Sequence, residues 1–272
     1  MRKDYIKDKN PDQKEISFVE DHWTKKWEDQ EGNPSDLQKV FAREEYKIMV
    51  SRLRSLSGGA KIFDGGCGLG DWVLALTQKG FQVNGMDVSK KTIQQLKERY
   101  PKSDFMVGDI RDTPFPDHHF DAYFSWGVFE HFENGPQDCI REAFRILKPG
   151  GMLFISVPFD NFRHAILNSL RPWKKNRGSE PQRFYQWRFT KSELSTELRL
   201  AGFNVLDIHA IHKRSGLLRC LENDFKLGYN SLLTRAIAYL LAPVIPGFLI
   251  AHMIMTTSQK KLTKKNLFKK IK

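Results

Sequence analysis

The amino-acid sequence predicts an α/β protein whose parallel sheet is covered by helices on both faces. Short apolar segments typical of buried strands alternate with helical patterns from residue 60 to residue 157, and such alternation is typical of a parallel sheet. Three glycines at alternate positions follow the first strand, at the end of the sheet where such folds bind ligands. A length of 272 residues suits one α/β domain with additional elements.

The predicted elements follow one another in a regular order. Strand 60–63 is followed by helix 71–79, which Gly80 can terminate, and by strand 81–86. Ser89 is a suitable N-cap for the next helix, which Pro101 ends. The remaining elements of this part are strand 105–107, strand 122–126, helix 141–147 and strand 152–157.

The turn after the first strand has the pattern D-x-G-x-G-x-G, formed by Asp64, Gly66, Gly68 and Gly70. Because glycine has no Cβ, a ligand can lie against the main chain there. Dinucleotide sites have the spacing G-x-G-x-x-G and hold a pyrophosphate at the helix N-terminus. A nearby carboxylate would repel a pyrophosphate and attract an ammonium group, so the turn favours a nucleoside with a different polar tail.

Carboxylates also stand at the ends of the next two strands. Asp87, after the second strand, can accept two hydrogen bonds from a ribose diol, and Asp109, after the third, can accept one from an adenine amino group. Each aspartate alone could be a solvated loop residue or a helix cap. Three carboxylates at three successive strand ends favour a nucleoside site.

These motifs together resemble the class I S-adenosylmethionine-dependent methyltransferases, most closely the small-molecule subgroup that includes quinone- and sterol-modifying enzymes. The glycine turn, GDI at 108–110, DTPFPDHHFDAYFS at 112–125, FEH at 129–131 and LKPGG at 147–151 match in order. The resemblance is close over residues 61–158 and looser beyond them. It implies a doubly wound, Rossmann-like, mostly parallel sheet of seven strands with an antiparallel last strand and helical decorations.

The resemblance implies S-adenosylmethionine as the cofactor and methyl transfer to a small-molecule acceptor, with an apolar or lipid-linked acceptor among the possibilities. An RNA methyltransferase and a non-catalytic cofactor-binding regulator remain as alternatives. The cofactor-binding positions that it implies are Asp64, Gly66, Cys67, Gly68, Gly70, Asp87, Val88, Asp109, Ile110, Ser125 and Trp126. Cys67 is expected to be a small packing residue rather than a reactive thiol.

Candidate acceptor-side residues lie just past the fourth strand and in two flanking segments. A hydroxyl acceptor benefits from a base, and His131 is the first candidate, with Glu130 second; the alternative is that this pair only anchors its helix. Trp23 and Trp27 would share one face of an N-terminal helix. That helix either covers the cofactor, as in the superfamily that the chain resembles, or packs an aromatic stripe on the core. Further aromatic candidates in the second flanking segment are Tyr185 and Trp187.

These observations divide the chain into five parts. We expect an N-terminal helical cap at 1–56, a cofactor-binding core at 57–158, and an acceptor-side lid at 159–188. The rest of the sheet, with a helical insertion that includes an apolar helix at 231–242, would occupy 189–258, and a basic tail 259–272.

Charge and cysteine content indicate the expected surroundings. The net charge is +12, and twelve basic residues but only two acidic ones follow from Lys213 onward. Positive charge at the end of the chain, rather than around the core, makes a nucleic-acid partner unfavoured and suits an anionic membrane surface, although it could be merely solvated. Three cysteines show no metal spacing, so no metal is expected, and the polar N-terminus predicts a cytoplasmic protein that could contact the inner membrane surface.

Overall fold

A seven-stranded sheet forms the centre of the computed structural model, which describes residues 1–8, 10, 12–29, 36–56, 58–164, 166 and 181–262. The strand order is β4-β3-β2-β5-β6-β9-β8. These strands are β2 (Lys61–Gly65), β3 (Gln82–Asp87), β4 (Asp104–Val107), β5 (Phe120–Trp126), β6 (Leu147–Pro158), β8 (Phe203–Ile211) and β9 (Met253–Lys260). Pairing is parallel from β4 to β6, whereas β9 is antiparallel to both β6 and β8. The predicted fold class is therefore confirmed.

Helices cover both faces of this sheet. The helices of the described residues are α1 (Glu15–Glu28), α2 (Leu37–Ala42), α3 (Glu44–Leu53), α4 (Asp71–Thr77), α5 (Lys90–Arg99), α6 (Gln137–Ile146), α7 (Lys191–Leu200), α8 (Lys213–Phe225), α9 (Leu232–Leu241) and α10 (Gly247–Ile250). Helix α9 packs on α8 rather than on the sheet. The predicted cap of α5 is confirmed, because Ser89 Oγ accepts a hydrogen bond from the Thr92 N–H at 3.3 Å. Five consecutive residues of α4 are buried, since α2 covers the side of α4 that faces away from the sheet.

Two apolar clusters fill the space between the sheet and its helices. Successive strand residues point to opposite faces, so Phe63 belongs to the cluster under α6 and α7, while Ile62 belongs to the cluster under α4 and α5. Large aromatic side chains of the sheet, including Tyr123 and Phe154, are fully buried. Burying one such side chain stabilises the fold by about 1.5–3 kcal/mol, so the sheet gives the site a rigid floor.

The N-terminal segment is not wholly helical as predicted. It begins with β1 (Arg2–Lys7), which pairs antiparallel with β7 (Gln182–Arg188) in a separate two-stranded sheet. Pairing gives the main chain of both segments its hydrogen-bond partners, and Arg188 Nε donates to Asp4 Oδ2 at 2.6 Å across the pair. The expected lid at 159–188 therefore ends in a strand, and its residues 165 and 167–180 lie outside the described residues.

The C-terminal part also differs from the expected boundaries. Strand β9 continues through Lys260, which is 3% exposed and donates through Nζ to the Leu147 carbonyl oxygen at 2.8 Å. The basic tail therefore begins later than residue 259, and residues 263–272 lie outside the described residues. The apolar helix predicted at 231–242 is confirmed as α9. Within the described part of the chain, every helix is too short or too polar to cross a membrane.

Candidate functional site

A cavity of about 450 Å³ lies at the carboxyl ends of the parallel strands. Open α/β sheets bind ligands at this edge, and small-molecule sites usually occupy about 300–1,000 Å³. The lining extends from the ends of β3 and β4, past the glycine turn, to β7, α8 and the start of β9, with α1 along one side. Eleven predicted site residues line it: Trp23, Trp27, Gly66, Asp87, Val88, Asp109, Ile110, Trp126, Glu130, His131 and Tyr185.

The glycine turn presents its main chain to this cavity. The N–H groups of Gly66 and Cys67 donate to the Met86 carbonyl oxygen at 2.8 and 2.9 Å, which fixes the turn against the end of β3. Gly66 has φ +84°, and a Cβ there would come within 2.3 Å of the Val128 side chain. Only glycine therefore combines this backbone conformation with this close approach.

Asp87 lies between the glycine turn and α5. Its Oδ2 accepts from the Gly68 N–H at 2.9 Å, and its Oδ1 accepts from the Ser89 N–H at 3.0 Å. A carboxylate has about four acceptor positions, and the Val88 main chain also interacts with Asp87, so only part of its acceptor capacity remains for a ligand. Burial raises the pKa of this carboxyl above its usual value, against the effect of the main-chain hydrogen bonds. Donors from a ligand would stabilise the ionised form.

Five predicted cofactor residues are buried and do not belong to the cavity lining: Asp64, Cys67, Gly68, Gly70 and Ser125. Asp64 is 1% exposed and its Oδ2 has no hydrogen-bond partner among the described residues; burial, with Asp87 and Asp71 nearby, raises its pKa strongly. Ser125 Oγ donates to the Gly65 carbonyl oxygen at 2.5 Å. Burial raises the pKa of the Cys67 thiol far above its usual range, so it stays a neutral packing group.

Asp109 is held by a residue that the sequence reasoning missed. Arg111 donates to both carboxylate oxygens of Asp109, with Nε 3.1 Å from Oδ1 and Nη2 2.7 Å from Oδ2. Its Nη1 donates to Glu15 Oε2 on α1 at 2.8 Å. The arginine therefore fixes α1 to the end of β4 and orients Asp109. The D-x-R spacing of Asp109 and Arg111 could have indicated the contact between these two residues. Nothing nearby in the sequence indicated that Arg111 also contacts Glu15.

His131 and Glu130 lie on a 3₁₀ helix (Phe129–His131) directly after β5. His131 Nδ1 is 2.8 Å from the Tyr185 carbonyl oxygen, so Nδ1 carries the proton of the neutral ring and donates it to this oxygen. The lone pair on Nε2 is then available to accept a hydrogen bond. Nε2 is 3.9 Å from Glu130 Oε1. Burial lowers the pKa of His131 to about 4 and raises the pKa of Glu130 to about 8. Both groups are therefore largely uncharged near pH 7.

Aromatic side chains of α1 cover the site. The rings of Trp23 and Trp27 stack with centroids 5.2 Å apart, and the Trp23 ring also contacts His131 at 5.2 Å. A Cβ on Gly68 would come within 2.8 Å of the Trp27 ring, so α1 packs directly on the glycine turn.

Trp187 does not line the cavity, contrary to its prediction as an acceptor-side residue. Its Nε1 donates to the Phe132 carbonyl oxygen at 3.0 Å, and its ring packs beside Phe184 with centroids 5.7 Å apart. These contacts hold the indole in the packing of β7. From the same strand, Tyr185 does reach the cavity.

The residues present fit a nucleoside with a cationic tail. Asp87 offers a carboxylate with acceptor capacity to the cavity, and Gly66 offers main chain without a side chain. Buried polar atoms without a hydrogen-bond partner in the described part of the chain include Asp64 Oδ2 and the Trp126 Nε1–H, and buried groups of this kind usually find a partner.

Comparisons with known proteins agree with this geometry. Residues 63–155 match the family model described as a methyltransferase domain. A Mycolicibacterium smegmatis protein described as a probable S-adenosylmethionine-dependent methyltransferase is 27% identical over 176 residues, which cover 63% of this chain and 63% of that protein. A demethylmenaquinone methyltransferase of Staphylococcus epidermidis is 31% identical over 129 residues, which cover 43% of this chain and 52% of that protein.

The chain therefore spans between about half and two thirds of the length of these two relatives. Among solved structures, a SAM-dependent methyltransferase from Methanosarcina mazei has a similar fold. Its TM-score is 0.54 at 22% identity, and the match covers 78% of this chain and 98% of that one.

Proposed function

We propose that the chain binds S-adenosylmethionine and transfers its methyl group to a small-molecule acceptor, because residues 63–155 match the family model described as a methyltransferase domain. The observation that carries the proposal is the continuity of one cavity from Asp87 to His131. The cofactor supplies a methyl group that is already activated on a positively charged sulfur. The protein then has to orient the acceptor and keep water out.

The acidic end of the cavity would hold the cofactor. Asp87 would accept hydrogen bonds from the ribose hydroxyls, and Ile110 would pack near the adenine, close to Asp109. Gly66, the residue of the glycine turn that lines the cavity, would lie along the methionine portion of the cofactor.

The other end of the cavity would hold the acceptor. His131, with its proton on Nδ1, would accept a hydrogen bond from an acceptor hydroxyl through Nε2 and orient the oxygen. Glu130, protonated near neutral pH, would donate a hydrogen bond. Trp23, Trp27 and Tyr185 would exclude water, which strengthens these polar contacts.

Calorimetric titration with S-adenosylhomocysteine tests the cofactor site. The Asp87→Ala variant loses hydrogen bonds to a charged acceptor, each worth about 1.5–3 kcal/mol, so we expect at least tenfold weaker binding. Asp104→Ala, at an exposed position at the start of β4, is the matched control and should bind as the natural chain does. Equal affinity of the natural chain and Asp87→Ala would contradict the assignment.

A transfer assay tests the activity itself. We expect radiolabelled S-adenosylmethionine to label a small-molecule fraction of a cell extract, and demethylmenaquinone is a first defined acceptor because one relative acts on it. Label in RNA instead would favour the RNA methyltransferase alternative. No label in any fraction, despite tight cofactor binding, would favour a non-catalytic binding role.

We also propose that the insertion formed by α8, α9 and α10 contacts a membrane surface. The exposed apolar side chains Leu232, Leu240 and Val244 are 85%, 69% and 75% exposed. Such contiguous apolar exposure is unusual on a soluble surface unless something binds it. Arg235 on α9, and Lys226 just before it, would add attraction to anionic lipids, each contributing about 1 kcal/mol.

Vesicle co-sedimentation tests the membrane contact. A variant with Leu232, Leu240 and Val244 changed to serine should lose binding to anionic vesicles, because each buried side chain contributes about 1.5–3 kcal/mol. Leu200→Ser is the control, since Leu200 is 79% exposed on α7, outside the insertion. A truncation after Leu262 leaves β9 intact and separates the contribution of the tail. Equal sedimentation of the natural chain and the triple variant would contradict the contact.

A further inference from the structure

The two ends of the cavity carry opposite charge. Aspartates line the end at β3 and β4, namely Asp87 and Asp109. The end beyond β6 is lined by basic side chains from β7, α8 and the residue before β9: Arg188, Arg219 and His252. Lys26 of α1 lines the same cavity, with its Nζ 4.2 Å from the centroid of the Trp23 ring.

Acidic side chains of the described residues compensate only part of this positive charge. Arg188 donates to Asp4, with 2.6 Å between Nε and Oδ2. Glu130, whose pKa burial raises to about 8, is largely protonated at neutral pH. In the described part of the chain, neither Arg219 nor Lys26 has an ion pair with a carboxylate.

The basic groups also repel one another. Burial, together with the positive charges of Arg219 and Arg188, lowers the pKa of His252 to about 3, so His252 is uncharged near pH 7 and could offer an anion only a hydrogen bond. Burial also lowers the pKa of Lys26, again with a contribution from Arg219. An anion between these side chains would relieve this repulsion and form charge-assisted hydrogen bonds, which are the strongest kind in proteins.

From the arrangement of Arg219, Lys26 and His252 around one end of the cavity, we infer that the methyl acceptor carries an anionic group, a carboxylate or a phosphate. Arg219 and Lys26 bind that group, which positions the rest of the acceptor towards His131 and the cofactor end. The inference rests on the proposed function, because it assigns the opposite end of the same cavity to S-adenosylmethionine.

The competing explanation is that these cations bind the carboxylate of the cofactor itself. Of these cations, Lys26 is the best placed to bind the cofactor carboxylate, because its helix packs on the glycine turn through Trp27. Arg219 comes from α8, beyond β6, and is the sharper probe. Substitution of Arg219 should weaken the binding of an anionic acceptor analogue and leave cofactor affinity unchanged.

The experiment is calorimetry on the full chain saturated with S-adenosylhomocysteine. Three probes of nearly equal alkyl length differ in the head group: octanoate, octyl phosphate and octanol. We expect octanoate or octyl phosphate to bind at least tenfold more tightly than octanol, and the preferred anion identifies the head group. Arg219→Gln should lose tenfold or more of that affinity. Arg219→Lys should recover part of it.

The control is Arg199→Gln, an exposed arginine on α7 outside the cavity, which should bind the preferred anion as the natural chain does. Melting temperatures of all variants check that they are folded. Equal binding of octanol and the anions, no binding of either anion, or unchanged anion affinity in Arg219→Gln would each overturn the inference. Weaker S-adenosylhomocysteine binding in Arg219→Gln would overturn it as well, in favour of the cofactor carboxylate. Failure of the natural chain to bind S-adenosylhomocysteine would instead contradict the proposed function. The anion titrations can then be run without S-adenosylhomocysteine, so the two failures are distinguishable.

Discussion

The two ends of the cavity are built in different ways. At the cofactor end, consecutive strands and one local turn place Gly66 and two aspartates, Asp87 and Asp109, around the cavity within residues 61–109. At the acceptor end, side chains come from α1, β7, α8 and the start of β9, and the first and last of these elements are more than 200 residues apart along the chain. The geometry of the cofactor end is therefore set by the sheet itself, whereas the geometry of the acceptor end depends on packing between segments that are distant in sequence. Changes to the two ends should therefore have separable effects.

The largest expected effect concerns Glu130 at the acceptor end. Its carboxyl has a pKa of about 8 in the folded chain, against 4.5 as the ordinary value. Between these pH values the folded state keeps a proton that the unfolded state has released. The stabilising contribution is thus fully present below about pH 4.5 and is lost as the pH rises through 8. The difference approaches about 5 kcal/mol as an upper limit.

Urea unfolding at pH 5, 7 and 9 measures this effect. Glu130→Gln should lose less stability between pH 5 and pH 9 than the natural chain does, because glutamine does not titrate. Glu222→Gln, at an exposed position on α8, should follow the natural chain. Parallel stability curves for the natural chain and Glu130→Gln would show that Glu130 is ionised in the fold.

The next effect concerns the glycine turn at the cofactor end. Gly66 and Gly80 both have positive φ, +84° and +88°, but only a Cβ at Gly66 meets a neighbouring side chain. Both alanine variants carry the strain of a left-handed residue, about 1–2 kcal/mol. Gly66→Ala should lose a further ~1–3 kcal/mol from the clash with Val128. It should also weaken S-adenosylhomocysteine binding, which calorimetry measures beside unfolding. Equal losses in the two variants would contradict the close approach.

Substitution of His131 tests whether the acceptor end can be changed without affecting the cofactor end. If Nε2 orients the acceptor, His131→Ala should lower turnover by about 10²-fold and leave cofactor affinity nearly unchanged. His209→Ala, at an exposed position on β8, is the control. Turnover per folded molecule and S-adenosylhomocysteine affinity are the two measurements. Full turnover combined with a lower melting temperature would assign His131 to anchoring its helix.

The smallest effect concerns the contact that joins α1 to the end of β4. Glu15 on α1 accepts from Arg111, which holds Asp109. Glu15→Gln should cost about 0.5–1 kcal/mol, because the pair is partly exposed, and should lower the melting temperature by a few degrees at most. Glu28→Gln breaks a more exposed pair with Lys91 and should cost less. A larger loss in Glu28→Gln would contradict the role of Arg111 in holding α1.

The same contrast explains what the sequence could predict. The glycine turn and Asp87 follow from local patterns, because the strands β2 and β3 and the turn between β2 and α4 are close together in the chain. The pairing of β1 with β7, the contact between Arg111 and Glu15, and the place of Arg219 in the cavity depend on segments far apart in sequence. Trp187 shows the limit of such prediction within one strand. Only tertiary packing decides that its indole N–H donates to the Phe132 carbonyl oxygen instead of facing the cavity. The family resemblance is confirmed over residues 63–155, where local patterns are strongest.

The most direct test of the central claim is a crystal structure of the full chain grown with S-adenosylhomocysteine. We predict that the ribose hydroxyls hydrogen-bond to Asp87 and that the amino-acid portion lies along Gly66 and Gly68. The half of the cavity between His131 and Arg219 should remain free for the acceptor. A nucleoside bound between His131 and Arg219, or outside this cavity, would contradict the assignment of the two ends.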